Sequence, residues 1–251
     1  MASPRSRRLG IWLLGGVAAL AVLVFGGTWA YIHLIEGPAP APLSLKSGAS
    51  SDPSRSASTS TATGSGSSGS NGSTASTGTV AGSWLVAPGS IVGYRVNEVL
   101  AGQNNAAVGR TGDVSGSMTI RGGAVTAASF TVQMATIKSD QSQRDAQFNG
   151  RIMQTASYPT GTLTLTSPIA LGSLPADGVI KTYHATASLM LHGHTRPVTF
   201  TLQAERMTAG IEVSGSIPVL FADWGISNPS FPPFVTTQNH GVLEFLIKFS
   251  R

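Results

Sequence analysis

Two neighbouring residues, Arg144 and Asp145, and a histidine pair, His192 and His194, are the first candidates for chemistry in this 251-residue chain. A guanidinium can grip a phosphate through two hydrogen bonds, which makes Arg144 a candidate contact for a ligand head group. The plainer reading of Arg144-Asp145 is a local ion pair or loop hydrogen bond, as such neighbours commonly form. His192 and His194 flank Gly193 in a predicted hairpin. They could hold a metal only if a third ligand approached, and His184 and His240 have no fixed place relative to them. A turn with solvated or hydrogen-bonded histidines is the better reading, so neither a metal nor a cofactor is expected.

Other chemistry has less support. The chain has no cysteine, which excludes disulfides, thiolate catalysis and Cys-ligated metals, and also a lipid attached to cysteine. Nothing resembles Gly-x-Ser-x-Gly. The glycines punctuate strands rather than forming a phosphate-cradling loop. Asp140 and Asp145 read as helix-end residues rather than a pair of catalytic carboxylates. No catalytic residue is assigned.

The elements that must position these residues fall into three segments. Leu9 to Ile32 contains no charged residue. As a helix its 24 residues would be about 36 Å long, enough for a hydrocarbon core of about 30 Å. Arg5, Arg7 and Arg8 precede it, and Trp29 and Tyr31 sit where an interfacial aromatic belt would be. The expectation is a cytoplasmic N-terminus at 1–8, a signal-anchor transmembrane helix at 9–35 and export of everything after it. A cleaved signal peptide is the rival, with a shorter apolar run and a better cleavage site than Ala39-Pro40-Ala41-Pro42 offers. Either reading exports the distal domain.

Residues 36–83 are almost entirely Ser, Thr, Gly, Ala and Pro, a composition expected to remain a disordered linker. As a coil of about 47 residues it would span roughly 35–40 Å. The net charge of +5 is spread along the chain: five Lys/Arg stand against Glu36 and Asp52 before residue 84, and eleven against nine after it. With no basic cluster, nucleic acid is not an expected partner.

Residues 84–251 read as one mainly β domain. Val92, Tyr94 and Val96 alternate with smaller or polar neighbours. So do Phe130, Val132 and Met134; Leu163 and Leu165; Ala187, Leu189 and Leu191; Val198, Phe200 and Leu202; Ile211 and Val213; and Leu243, Phe245, Ile247 and Phe249. Period-two alternation gives each strand one apolar face. Turn chemistry at Gly122-Gly123, Asp177-Gly178, His192-Gly193 and Ala209-Gly210 separates about eight strands. Ser139 to Ala156 lacks alternation and predicts a helix or two short turns, capped by Ser139 or Asp140 and interrupted at Gly150. Periodicity leaves barrel and sandwich open. Pro229, Phe231, Pro232, Pro233 and Phe234 form an aromatic-proline loop, either a rim at a barrel mouth or an ordinary rigid loop.

Several stretches now combine. They are Ser139-Asp140, Arg144-Asp145 and Tyr158-Pro159, then LMLHGHTRPV at Leu189 to Val198, then FADWGIS at Phe221 to Ser227, with Trp84-Leu85-Val86 and Pro88-Gly89-Ser90 at the start. In order and spacing they resemble the YceI family, the polyisoprenoid- or lipid-binding YceI-like domain. Two departures stand near expected ligand contacts: Gln147-Phe148 where the family often has His-Leu, and Phe221-Ala222-Asp223-Trp224 where it usually has Arg-Ser-Asp. The resemblance implies an eight-stranded antiparallel lipocalin-like barrel with a helix beside it, and a long apolar cavity for an isoprenoid or other lipid.

Under that resemblance Phe130, Val132, Met134, Phe148, Met153, Leu163, Leu165, Leu189, Leu191, Phe200 and Leu202 become candidate ligand-binding residues; otherwise they fill a core. The expected function is a membrane-tethered envelope protein that sequesters, carries or senses an isoprenoid, quinone-like or acyl ligand. The alternatives are an envelope interaction protein with a solid core and a lipid-modifying enzyme. Expected partners are the lipid and the cell membrane, and the sequence leaves the oligomeric state open.

Overall fold

A computed structural model describes residues 39–45, 80–100, 102–174, 176–233 and 235–251. The expected transmembrane helix and most of the expected linker lie outside these residues. Among the described residues no helix is long and apolar enough to cross a membrane.

Twelve strands form one antiparallel sheet: β1 (Gly82–Val86), β2 (Ile91–Leu100), β3 (Gln103–Thr111), β4 (Val114–Arg121), β5 (Ala124–Gln133), β6 (Thr160–Leu165), β7 (Ile169–Ala170), β8 (Ile180–Leu191), β9 (His194–Met207), β10 (Gly210–Leu220), β11 (Val235–Thr237) and β12 (His240–Ser250). The ring runs β1-β4-β5-β6-β8-β9-β10-β12 and closes because β1 pairs with both β4 and β12. That is an eight-stranded closed barrel, and closure leaves its ring without a free edge. β2 continues the position of β1, pairing with β12 further along; β11 extends that same edge of β2, and β3 takes the other edge.

The break between β1 and β2 is pinned by one hydroxyl. Ser90, 3% exposed, donates from Oγ to the Ala87 carbonyl at 2.8 Å and accepts the Lys248 N–H at 3.0 Å. The helical segment is shorter than the stretch that predicted it. It comprises α1 (Ser142–Gln147) and a wide π-type turn, Phe148–Ile152, that contains Gly150. Its N-cap is Gln141, without a side-chain cap, rather than Ser139 or Asp140. Ser139 acts just upstream of the cap. Its Oγ accepts the Gln141 N–H at 3.2 Å and donates to Asp145 at 2.8 Å. An alternative partner for the backbone of this kind commonly starts a short helix.

The linker boundary also shifts. β1 begins at Gly82, Val80 is buried in the barrel, and residues 39–45 lie against the barrel wall, where Leu45 is buried. These pieces of the 36–83 segment are therefore part of the folded unit.

Three stretches far apart in sequence close one end of the barrel. His192, in the tight turn between β8 and β9, donates from Nδ1 to the Trp224 carbonyl at 3.0 Å. The Tyr158 ring meets its imidazole edge-on at 4.6 Å. Arg196 Nε donates to the Asp223 carbonyl at 3.0 Å. Gly193 has φ +75°, and a Cβ there would stand 2.6 Å from Tyr158 Cε1. Only glycine meets both demands without strain. Gly193→Ala is expected to destabilise the fold by about 1–3 kcal/mol, measured by equilibrium chemical denaturation. A wild-type midpoint would refute the packing role of this turn.

Candidate functional site

The inward faces enclose a cavity of about 340 Å³. It sits within the range typical of ligand sites, at its lower end. Its wall runs from Val80, Leu171 and Leu174 at the β4–β5 turn end to Glu98, Arg144, Pro229 and Thr237 at the helical end. Strand alternation aims these residues. On β8, Tyr183, Ala185, Ala187, Leu189 and Leu191 are buried while their neighbours are less so. Two apolar clusters, one toward each end, meet through Leu165, Ile169, Leu202 and Phe245, which pack against both.

All eleven residues predicted from the strand faces and the helix line this cavity: Phe130, Val132, Met134, Phe148, Met153, Leu163, Leu165, Leu189, Leu191, Phe200 and Leu202. Further wall residues lie beyond that set: Val92, Tyr94 and Val96 on β2, Met118 and Ile120 on β4, Ile211, Val213 and Ile217 on β10, and Leu243, Phe245, Ile247 and Phe249 on β12. The same period-two alternation marks them as inward-facing. Phe221 and Ile226 also line the cavity, from a stretch with no strand periodicity to announce them.

The histidines take structural places. His192 and His194 are 6.5 Å apart between ring centroids, and His194 Nδ1 bonds the His192 carbonyl at 3.0 Å. Among the described residues no three potential ligands gather to hold a metal.

Polar groups enter the cavity at its helical end. Tyr94 stacks on Phe148, with centroids 5.0 Å apart and planes 12° apart. Burial pushes its phenol up to about 12, against the opposing influence of Arg144. The hydroxyl is therefore neutral at physiological pH. Arg144 does not pair with its neighbour Asp145. It reaches Glu98 at 3.5 Å and Asp140 one helical turn back, while Asp145 accepts hydrogen bonds from the backbone and hydroxyl of Ser139. Two carboxylates thus face the one guanidinium proposed for a head group. Glu98 also accepts from Asn105 Nδ2 at 3.1 Å.

Burial is the main cause that raises the Glu98 carboxyl, and it outweighs the lowering effect of Arg144. A carboxyl raised by folding contributes most to stability below the ordinary carboxylate range, and that contribution falls as pH rises through its folded pKa. Glu98→Gln is therefore expected to melt above the wild type near pH 8, with the gap narrowing toward about pH 4. Thermal melts across that range check it, and a gap that widens on acidification would contradict burial as the dominant cause.

A search of curated proteins found no match. Among solved structures, a polyisoprenoid-binding domain from Saccharophagus degradans is similar with a TM-score of 0.54 at 15% identity, over 68% of this chain and 98% of that one. BcnA of Burkholderia cenocepacia is similar at 18% identity and TM-score 0.48, over 62% and 95%. A YceI protein of Campylobacter jejuni is similar at 11% identity and TM-score 0.39, over 54% and 81%. At these identities the first shows a shared fold, and the other two add no argument. The family model for the YceI-like domain matches residues 84–249, most of the chain and all but two residues of the span expected for the barrel domain. The chain belongs to the YceI-like family.

Proposed function

We propose that this protein binds an isoprenoid, quinone-like or acyl lipid in its barrel, as an envelope protein anchored by its N-terminal apolar run. The observation that carries the reading is the continuous apolar cavity of about 340 Å³. A solid-core interaction protein would fill that space with side chains at crystal-like density. An alkyl or prenyl chain gains about 0.8 kcal/mol per methylene buried, so a partly inserted tail suffices for useful affinity. Family membership and the polyisoprenoid binding of the Saccharophagus degradans domain support the same ligand class.

The polar end supports binding over turnover. Tyr94 is held protonated, and Glu98 is tied to Arg144 and Asn105. The group offers a hydroxyl and a guanidinium that can orient a polar head. Membrane residence rests on the uncharged run from Leu9 to Ile32 with three arginines before it. Local hand-off of a ligand to or from the anchoring bilayer follows from that placement.

The test uses the full chain purified from its host membranes. Native mass spectrometry with lipid extraction is expected to find one apolar lipid per barrel, and a consistently empty protein would overturn the proposal. Ala187, 1% exposed on the cavity wall, offers a partner variant. Ala187→Phe is expected to abolish lipid retention while shifting stability by no more than about 3 kcal/mol, since the new ring enters existing space. Undiminished retention would place the lipid elsewhere.

A further inference from the structure

One side of the outer barrel wall is covered. Val92, Tyr94 and Val96 line the cavity, so by alternation the Arg95 side chain between them faces outward. Register places Val108 beside Arg95, and Arg110 and Glu244 on either side of Gly93. Outward residues of a barrel ordinarily meet solvent. Here Val108 is 6% exposed, Glu244 5% and Leu246 4%. Val108 and Leu246 belong to neither interior cluster and do not line the cavity, while Glu244 touches the cavity wall and turns its carboxylate to the outward arginines. Leu45, 6% exposed, is likewise buried outside both clusters.

Residues 39–45 engage this wall. Arg95 Nη2 donates to the Pro40 carbonyl at 2.5 Å, and Arg110 Nη2 donates to the Ala41 carbonyl. Glu244 holds both guanidiniums, reaching Arg95 Nε at 2.6 Å and Arg110 Nη2 at 3.5 Å. Gly93 lets β3 approach closely, since a Cβ there would lie 2.0 Å from the Gly109 carbonyl oxygen and 3.0 Å from Arg110 Cγ. A buried carboxylate thus fixes two arginines whose remaining N–H groups point at successive peptide carbonyls. Pro40 and Pro42 favour the extended backbone that presents those carbonyls. The occupant is covalently attached, so modest contacts hold it at high effective concentration.

We infer that residues 39–45 are a strap docked in this outer groove, shortening the tether that holds the barrel to its membrane. The second half of that statement rests on the proposed anchor. Ala39 follows the expected membrane-spanning segment, ending at Ile35, by four residues, a reach of about 14 Å. The full linker as a free coil would allow roughly 35–40 Å. Glu98, at the polar end of the cavity, lies three residues beyond Arg95 on β2, about 10 Å away. The strap therefore holds that end of the barrel close to the bilayer and limits its rotation.

The absence of cysteine makes the test direct. A spin label at Leu43→Cys in the full chain, in detergent and in nanodiscs, is expected to give an immobilised spectrum. Replacing residues 39–42 and the buried Leu45 with Gly/Ser removes the proline bias and the apolar anchor of the strap, leaves the barrel wall untouched, and is expected to abolish the immobilised component. The neutral triple variant Arg95→Gln, Arg110→Gln, Glu244→Gln is expected to do the same from the other side. A mobile label on the unaltered strap overturns docking, and so does a spectrum that the Gly/Ser strap leaves unchanged. In nanodiscs, energy transfer from a dye at Thr236→Cys, exposed near the polar end, to acceptor lipids is expected to fall when the strap is replaced. Unchanged transfer overturns the tether-shortening role. An immobilised label on a chain that fails to float with liposomes removes the anchor and leaves the docked strap standing.

Discussion

Closure of an antiparallel sheet is the constraint from which the rest follows. Once β1 pairs with both β4 and β12, every strand has a fixed inside and outside. A one-residue slip in any strand would turn its apolar set to solvent. An eight-stranded ring has an interior that side chains can nearly fill. Whether it ends solid or hollow then depends on the size of the inward residues. This chain places Ala107, Ala128, Ala185, Ala187, Ala204 and Gly161 on the wall, among the large aliphatic and aromatic residues. The small residues leave the volume, and the large ones make it apolar.

Residues that look reactive in the sequence mostly serve closure. The His192 imidazole joins the β8–β9 turn to Trp224, and Tyr158 packs on it. Arg196 reaches the short helical turn Phe221–Trp224 through the Asp223 carbonyl. The three segments that carry the family resemblance therefore converge on one end of the barrel. Their spacing reflects how that end is held together, which is why they identify a fold more securely than a ligand.

Two charge groups each include one residue of β2, Glu98 in one and Arg95 in the other, but differ in role. Glu98 and Arg144 stand at the cavity, where burial raises the carboxyl despite its partner. Glu244 stands on the outside, buried with two arginines that bind backbone carbonyls. Buried ion pairs contribute little net stability compared with apolar packing, but losing one partner is costly. Such pairs fix geometry: one orients the polar end of the cavity, the other the segment against the wall.

Local patterning carried much of this from the sequence alone. Alternation along Phe130–Met134, Ala187–Leu191 and Leu243–Phe249 determined which side chains face inward, because the strand period is two and does not depend on the partner strand. Glycine-containing dipeptides marked the turns. The absence of cysteine excluded whole classes of chemistry. Barrel against sandwich stayed open on periodicity, since both bury one face of each strand; the choice came through resemblance and then through the β1–β12 pairing. Tertiary structure alone decided that Arg144 meets Glu98 and Asp140 rather than Asp145, that Phe221 and Ile226 reach the cavity, and that residues 39–45 leave a linker-like composition to lie on the wall. Most of these contacts join residues distant in the chain. Composition and period describe a residue's own neighbourhood, whereas a contact across the fold exists only once closure has set the register.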